Sequence, residues 1–252
     1  MGVFNIIFFG GFGMGPIIGG FLSDMMGLNF AFYSMGGLNL IALILAISLL
    51  PNTEHYNRNI VVRKSYILML KESNLTKGLF NFRLLFAVAR SIFSCFLPIF
   101  CGLQLGLSGS QIGVLLSTNM LLSSVIQIFT GRLADIFSRR ALIIIGGVGD
   151  CICFLFIPLM HSFYPLLGLC MLSAVANAIS PPSSAALATE EGRKYGMGAS
   201  MGMFNMAMSI GMAVGPIIGG AVSSHFNVGI VFILAALAEF IGILLFTKFT
   251  SR

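Results

Sequence analysis

The sequence predicts an all-α integral membrane protein, a polytopic bundle of about eight transmembrane helices. Three observations predict it. Of 252 residues, 57% are hydrophobic and only 9% charged, whereas a soluble domain carries about 25% charged residues. Apolar stretches of bilayer-crossing length, about 20 residues, recur along the chain. Lysine and arginine gather in every second connection between them. The net charge of +6 is therefore read as topology. No basic helix with interleaved aromatics points to nucleic acid.

The spans follow in order. The first covers Met1–Leu22. No Lys or Arg precedes Arg58, so this start reads as a membrane span and not as a cleavable leader. The second, Leu28–Leu50, stops at Pro51-Asn52-Thr53-Glu54, and a polar segment continues to Lys77. Six more spans are expected at Gly78–Leu103, Ser110–Thr130, Ala141–Met160, Tyr164–Ala188, Gly198–Ser223 and Val228–Phe249. Arg58, Arg63, Lys64, Lys71 and Lys77 lie in the polar segment. Arg132, Arg139 and Arg140 follow the fourth span, Arg193 and Lys194 the sixth, and Lys248 and Arg252 close the chain. The alternate connections, near Asp24, Ser108, His161 and His225, carry no Lys or Arg. This alternation supports the count of eight and puts the basic loops and both chain ends in the cytoplasm of a cell membrane.

The chain also repeats itself. Met1-Gly2-Val3-Phe4-Asn5 returns as Met201-Gly202-Met203-Phe204-Asn205, and Gly15-Pro16-Ile17-Ile18-Gly19-Gly20 returns unchanged as Gly215-Pro216-Ile217-Ile218-Gly219-Gly220. At an offset of 200, 11 of the first 20 positions are identical. Small residues every fourth position, Gly11, Gly15 and Gly19 and then Gly211, Gly215 and Gly219, are expected to line one helix face and admit a neighbour's backbone. Pro16 and Pro216 free a carbonyl one turn earlier and permit a bend or hinge there. If the first two spans match the last two, the middle four should have partners before residue 1. Met1 would then be an internal methionine, and the complete protein two six-helix halves.

Gly131-Arg132-Leu133-Ala134-Asp135-Ile136-Phe137-Ser138-Arg139-Arg140 resembles the signature loop of the major facilitator superfamily, which follows the second helix of each half. The two Gly-Pro-Ile-Ile-Gly-Gly runs resemble a motif of that family's fifth helix, echoed in the eleventh of many antiporters. The resemblance covers the whole chain as the equivalent of helices five to twelve. It implies the last two helices of an N-terminal half (residues 1–50), a cytoplasmic linker (51–77) and a complete C-terminal half (78–252). It also implies a charge network of Asp135, Arg139 and Arg140, with Gly131 and Leu133 as the loop's other matching positions. Ile136 and Ser138 depart from the pattern, where a basic residue and a glycine are usual. The function implied is secondary transport of small solutes, with proton-coupled efflux suggested by the doubled antiporter motif.

Three ionisable residues fall near span centres: Arg90, Asp150 and Glu239. At about 2.5–3.5 kcal/mol each on insertion scales, they need a partner, water or a neutral form. The resemblance places Arg90 on a cavity-lining helix, as a candidate for an anionic solute group or a carboxylate. Asp150 and Glu239 fall on outer helices, as a buried pair or proton carriers. Asn5, Asn119, Gln127, Asn177 and Asn205, with Phe4, Phe93, Phe96 and Phe204, are further cavity candidates, and such a lining would suit hydrophobic solutes. The expected partners are thus the lipid bilayer, a small solute, protons as a candidate coupling ion, and the absent helices.

Five cysteines in apolar runs (Cys95, Cys101, Cys151, Cys153, Cys170) read as packing residues; no metal or cofactor site is predicted. Gly106-Leu107-Ser108-Gly109 matches an intramembrane protease pattern, but His161 and His225 fall in short loops, away from where a catalytic base would sit. No enzyme is expected. The alternative to a transporter is a product that does not transport alone, because two helices of one half cannot wall a cavity.

Overall fold

In the computed structural model, residues 2–49 and 72–250 are described, apart from the side chains of 2–10, 12 and 135. Among them are eight α-helices and no strand. They are α1 (Gly2–Met26), α2 (Leu28–Leu49), α3 (Asn74–Gln104), α4 (Gly109–Ile136), α5 (Arg139–Phe156), α6 (Phe163–Tyr195), α7 (Met197–Ser223) and α8 (Val228–Thr250). A 3-10 turn at Ile157–Leu159 extends α5. Helices α2 to α8 are long and apolar enough to cross a membrane. In hydrocarbon each backbone donor must be satisfied within its own segment, which leaves helices as the local solution for such sequences.

Short connectors mark the boundaries. Ser73 caps α3 by accepting from the Thr76 amide at 3.2 Å, and Ser108 and Gln111 form a capping box at the start of α4. Gly27 (φ 83°) and Gly196 (φ 107°) take the left-handed backbone that separates α1 from α2 and α6 from α7.

Contacts between helix ends show that α3 to α8 alternate in direction. At one end, Ser73 before α3 meets Glu191 late in α6, and Arg140 of α5 donates to the Thr250 carbonyl closing α8 at 2.6 Å. At the other, Gln104 of α3 donates to Asn227 before α8. Lys77, Arg132, Arg139, Arg140, Arg193, Lys194 and Lys248 all gather at the first of these ends. Arg83 and Arg90 are the described cations that do not.

Helix α3 is central and packs against α7 and α8. Helix α5 packs on α6 and α8, α6 also on α4, and α4 on α1. Helix α2 packs on α1 and buries no residue. Phe93, Phe100, Phe154 and Phe232 anchor the larger apolar core. Phe82, Phe246 and Leu79 anchor a smaller one near the basic end.

Two expectations about boundaries are corrected. The segment Gly131–Arg140 is hardly a loop: α4 runs on through Ile136, and only Phe137 and Ser138 separate it from α5. Likewise α6 continues past Ala188 to Tyr195. Arg132, Asp135, Glu190 and Arg193 lower the hydropathy of these stretches, yet Leu, Ala, Glu, Arg and Lys are good helix formers. The expected linker falls largely outside the described residues, with Arg58, Arg63, Lys64 and Lys71.

The two glycine stripes are used unequally. Gly211, Gly215 and Gly219 seat α7 on α3: a Cβ at Gly211 would lie 2.7 Å from Ala87 Cβ, one at Gly215 2.8 Å from the Val88 carbonyl, and one at Gly219 3.0 Å from Phe96 Cζ. At Gly11, Gly15 and Gly19 an added Cβ would meet no described atom within 4 Å. Helix α1 uses another face. Gly13 lies against Leu121, Gly20 against Gly109, and the Pro16 carbonyl against Gly113. The Ile17 amide donates to Ser117 Oγ of α4 at 3.1 Å. Gly220, unlike Gly20, has open space beside it. Both helices pass through Pro16 and Pro216 without interruption.

Asp24 ties the far end of α1 to α4. Its Oδ1 accepts from the Gly109 amide at 2.9 Å and its Oδ2 from the Ser110 amide at 2.7 Å. These bonds favour the anion, as does the positive end of α4. Contacts with Ser110, through its side chain and then its backbone, and with Gly109 hold this carboxyl below the usual carboxylate range. A carboxyl lowered on folding stabilises above its unfolded pKa, and that contribution fades as pH falls through the folded value. Asp24→Asn should therefore speed hydrogen exchange at the start of α4 at neutral pH, and the gap from wild type should close in acid. Equal exchange at neutral pH would refute this role.

Candidate functional site

A single polar layer crosses the middle of the bundle. Arg90, Asn119, Asp150, Ser173 and Glu239 come from α3, α4, α5, α6 and α8, each at least two turns from the start of its helix and one turn from its end. Arg90 lies 16 residues beyond Asn74, about 24 Å along the helix axis. Its Nη2 donates to Asn119 Oδ1 at 2.9 Å, and its Nη1 lies 3.8 Å from Asp150 Oδ2. The guanidinium carbon sits 5.0 Å from the Phe93 ring centroid, a cation–π distance. Asn119 Nδ2 donates to the Cys170 carbonyl at 2.9 Å. Ser173 Oγ donates to Asp150 Oδ1.

Asp150 and Glu239 have no exposed surface, while the Arg90 side chain keeps 15%. Both Glu239 oxygens and Asp150 Oδ2 are buried without a hydrogen bond. Glu239 Oε1 would lie 3.7 Å from a Cβ on Gly147, one turn before Asp150, and Glu239 is within electrostatic reach of Asp150 and Arg90. Gly146 and Gly149 bring α5 onto Ser180 and Ala176 of α6, so backbone proximity helps to assemble the layer.

Along α4, polar residues continue from this layer towards the basic end. Asn177 Nδ2 and Gln127 Nε2 both donate to Ser123 Oγ at 3.2 Å, and Thr130 Oγ1 donates to the Ala178 carbonyl at 2.7 Å. Asn205 is exposed on α7 and does not join. The side chains of Phe4, Asn5 and Asp135 lie outside the described residues. The other phenylalanines are core residues and not an open lining: Phe93 stacks near Phe154, with centroids 5.5 Å apart. Phe96 fills the space beside Gly219, and Phe204 is buried.

At the basic end, Arg139 pairs with Glu190 of α6 and donates from Nε to the Ala134 carbonyl at 3.2 Å. Arg140 satisfies the last carbonyl described in α8, where a cation also suits the helix dipole. Gly131 has open space beside it and Leu133 is exposed. Ser138 is the N-cap of α5 without a side-chain cap bond. Ser108, of the protease-like run, is committed to capping α4.

Sequence reasoning missed Ser173 and, outside the layer, Glu191 and Arg83. Glu191 is buried and accepts from Ser73 Oγ, from Thr76 Oγ1 at 3.0 Å and from Lys194 Nζ at 3.1 Å, joining α6 to the start of α3. It falls in an expected loop, where a glutamate reads as solvated. Arg83 lies two helical turns before Arg90 on the same face. Its guanidinium carbon is 4.5 Å from the Phe204 centroid, Nη2 donates to Met208 Sδ at 2.9 Å, and Nε is buried without a partner. Arg83 forms no ion pair among the described residues. It lies five residues into the expected span Gly78–Leu103.

The sequence profile of the Major Facilitator Superfamily matches residues 79–252. The chain belongs to the major facilitator superfamily. Over 271 aligned residues it is 27% identical to an uncharacterized MFS-type transporter of Methanocaldococcus jannaschii, covering 100% of this chain and 62% of that relative. Over 162 residues it is 28% identical to the multidrug resistance protein MdtG of Salmonella paratyphi A, covering 62% of this chain and 40% of MdtG. MdtG of Salmonella newport matches over the same share. The chain thus spans less than two thirds of the length of these curated relatives. Membership in the major facilitator superfamily makes it a multi-pass membrane protein of a transporter family, whose members are not enzymes.

Proposed function

We propose that the chain is part of a secondary transporter that exports small, largely hydrophobic solutes by alternating access, in exchange for protons. The observation that carries this reading is the polar layer of Arg90, Asn119, Asp150 and Ser173, with Glu239 beside it, in an otherwise apolar bundle. Secondary transporters bind solute and coupling ion near the midplane, and ionisable groups at that depth mark ion and solute paths. MdtG is named as a multidrug resistance protein, which supports a hydrophobic solute. The doubled Gly-Pro-Ile-Ile-Gly-Gly run supports exchange, by resemblance to antiporters. The basic end is assigned to the cytoplasm of the cell membrane, with both termini of this chain on that side.

In this reading residues 78–252 form one six-helix half, residues 1–50 the last two helices of the other, and 51–77 the linker. Arg139 and Glu190 would hold the cytoplasmic ends of α5 and α6 together in one access state. Asp135 would add a charge to that latch.

A second reading is favoured by the Gly11, Gly15 and Gly19 face, against which no described atom packs: the eight helices do not transport until other helices cover it. Ethidium efflux from cells making the whole gene product is the first test. Efflux abolished by a protonophore is expected; efflux indifferent to the proton gradient would overturn the coupling, and no efflux would overturn the solute class. The 252-residue chain reconstituted alone should give no flux above empty vesicles. Flux from it would refute the second reading.

A further inference from the structure

We propose that Asp150 and Glu239, with Arg90 as their counter-charge, bind one exchangeable proton, and that this pair and not a cavity-lining carboxylate is the proton carrier of the transport cycle. The inference rests on the proton-coupled reading above and deepens it by naming the site.

The argument begins with charge. The layer holds one guanidinium and two carboxyl groups. Arg90 faces Asp150 at 3.8 Å, and one cation can balance one carboxylate. The second carboxyl reaches neutrality by holding a proton. Glu239 is the group so placed: fully buried, with neither oxygen receiving a hydrogen bond. An anion with no donor in an apolar surround is far costlier than a neutral acid in the same place. Two carboxyls sharing a site do not both ionise readily.

The neighbours offer no substitute for that proton. Helix α8 packs on α3, α5 and α7. From α3 the charged group facing it is Arg90, and from α5 it is Asp150, with the thiols of Cys151 and Cys153 nearby. Cys151 is committed to the Ala236 carbonyl at 3.3 Å. The other deep cation, Arg83, is turned towards Phe204 and Met208 of α7.

Asp150 and Glu239 are closed to the outside, and Arg90 alone keeps exposed surface. Arg90 is also shared, since Asn119 holds its Nη2 while Nη1 points at Asp150. A solute, or a helix movement, that turns Arg90 from Asn119 fully onto the carboxyls releases the proton. When the solute leaves, Arg90 returns to Asn119, the counter-charge leaves Asp150, and the pair takes up a proton, so that solute and proton alternate as exchange requires. Uptake takes one proton from hydronium on one side, leaving water, and forms one O–H bond on a carboxylate oxygen. Release breaks that bond and forms hydronium on the other side. The solute undergoes no covalent change.

The test uses the whole gene product in phosphatidylethanolamine–phosphatidylglycerol vesicles, with ethidium outside and a pH dye inside. Glu239→Gln should keep ethidium counterflow and lose proton movement, while Glu239→Asp should retain both. Wild type that moves no protons with ethidium would overturn the proton-coupled reading and this site together. Wild type that moves them, with E239Q still doing so, would overturn this site alone. A readout independent of variant folding is the infrared carboxylic-acid band of wild type at neutral pH. A buried band that shifts on carbon-13 labelling of glutamate is expected, and its absence would overturn the assignment.

Discussion

Gly215→Ala should unseat α7 from α3 and destabilise the bundle, whereas Gly15→Ala, at the matching place in the repeat, should leave this chain no less stable. A Cβ at 215 would overlap Ser91 Oγ and lie 2.8 Å from the Val88 carbonyl. Backbone cannot yield like the end of a long side chain, so the two helices must move apart. Overpacking of this kind costs about 1–3 kcal/mol, against which alanine recovers about 1 kcal/mol of helix propensity. Separation also disturbs Ser91, whose hydroxyl bonds the Val88 carbonyl at 3.0 Å. The midpoint of unfolding in a denaturing detergent series reads the difference. Equal midpoints for G215A and wild type would mean that α7 does not sit this close to α3. A lower midpoint for G15A would mean that the α1 stripe is covered after all.

The second large effect concerns Arg90. Arg90→Leu leaves Asp150 buried with only Ser173 for company, and removing one partner of a buried pair typically costs about 3–5 kcal/mol. Adding Asp150→Asn should recover much of that loss, because the uncompensated charge is gone. The sum of the single effects should therefore exceed the double mutant by about 0.5–3 kcal/mol, the range for residues in one network. Additive effects would show that the pair, at 3.8 Å, does not couple.

Much of the fold was legible, for a plain reason. Hydropathy reads where a helix enters and leaves lipid, and Lys/Arg placement reads direction. Both are local properties, and eight helices are found among the described residues. The extensions of α4 through Ile136 and α6 to Tyr195 were illegible to the same measure. They leave lipid without leaving the helix, and Gly196 is the first residue whose backbone forces a stop after α6. Arg90, Asp150 and Glu239 stood out as charges in apolar runs. What could not be read is that α3, α5 and α8, separated by many residues, carry them to one depth. Ser173 and Cys170 gave no signal, since a serine and a backbone carbonyl are ordinary in any membrane helix. The repeat was plain, but its unequal use was not. Which face of a glycine-lined helix is covered depends on neighbours.

The closing of the α3–α8 bundle has a consequence for biosynthesis. Helix α3 makes its broadest contacts with α7 and α8, which leave the ribosome long after it. Arg90 enters the membrane 60 residues ahead of Asp150. At about 5–20 residues per second it waits roughly 3–12 s for its counter-charge. Glu239 arrives later still, with the helix that completes the ring. Until α5 inserts, the nascent bundle thus displays a solitary cation, and until α8 docks it displays an open seam. A quality-control protease or insertase can recognise either.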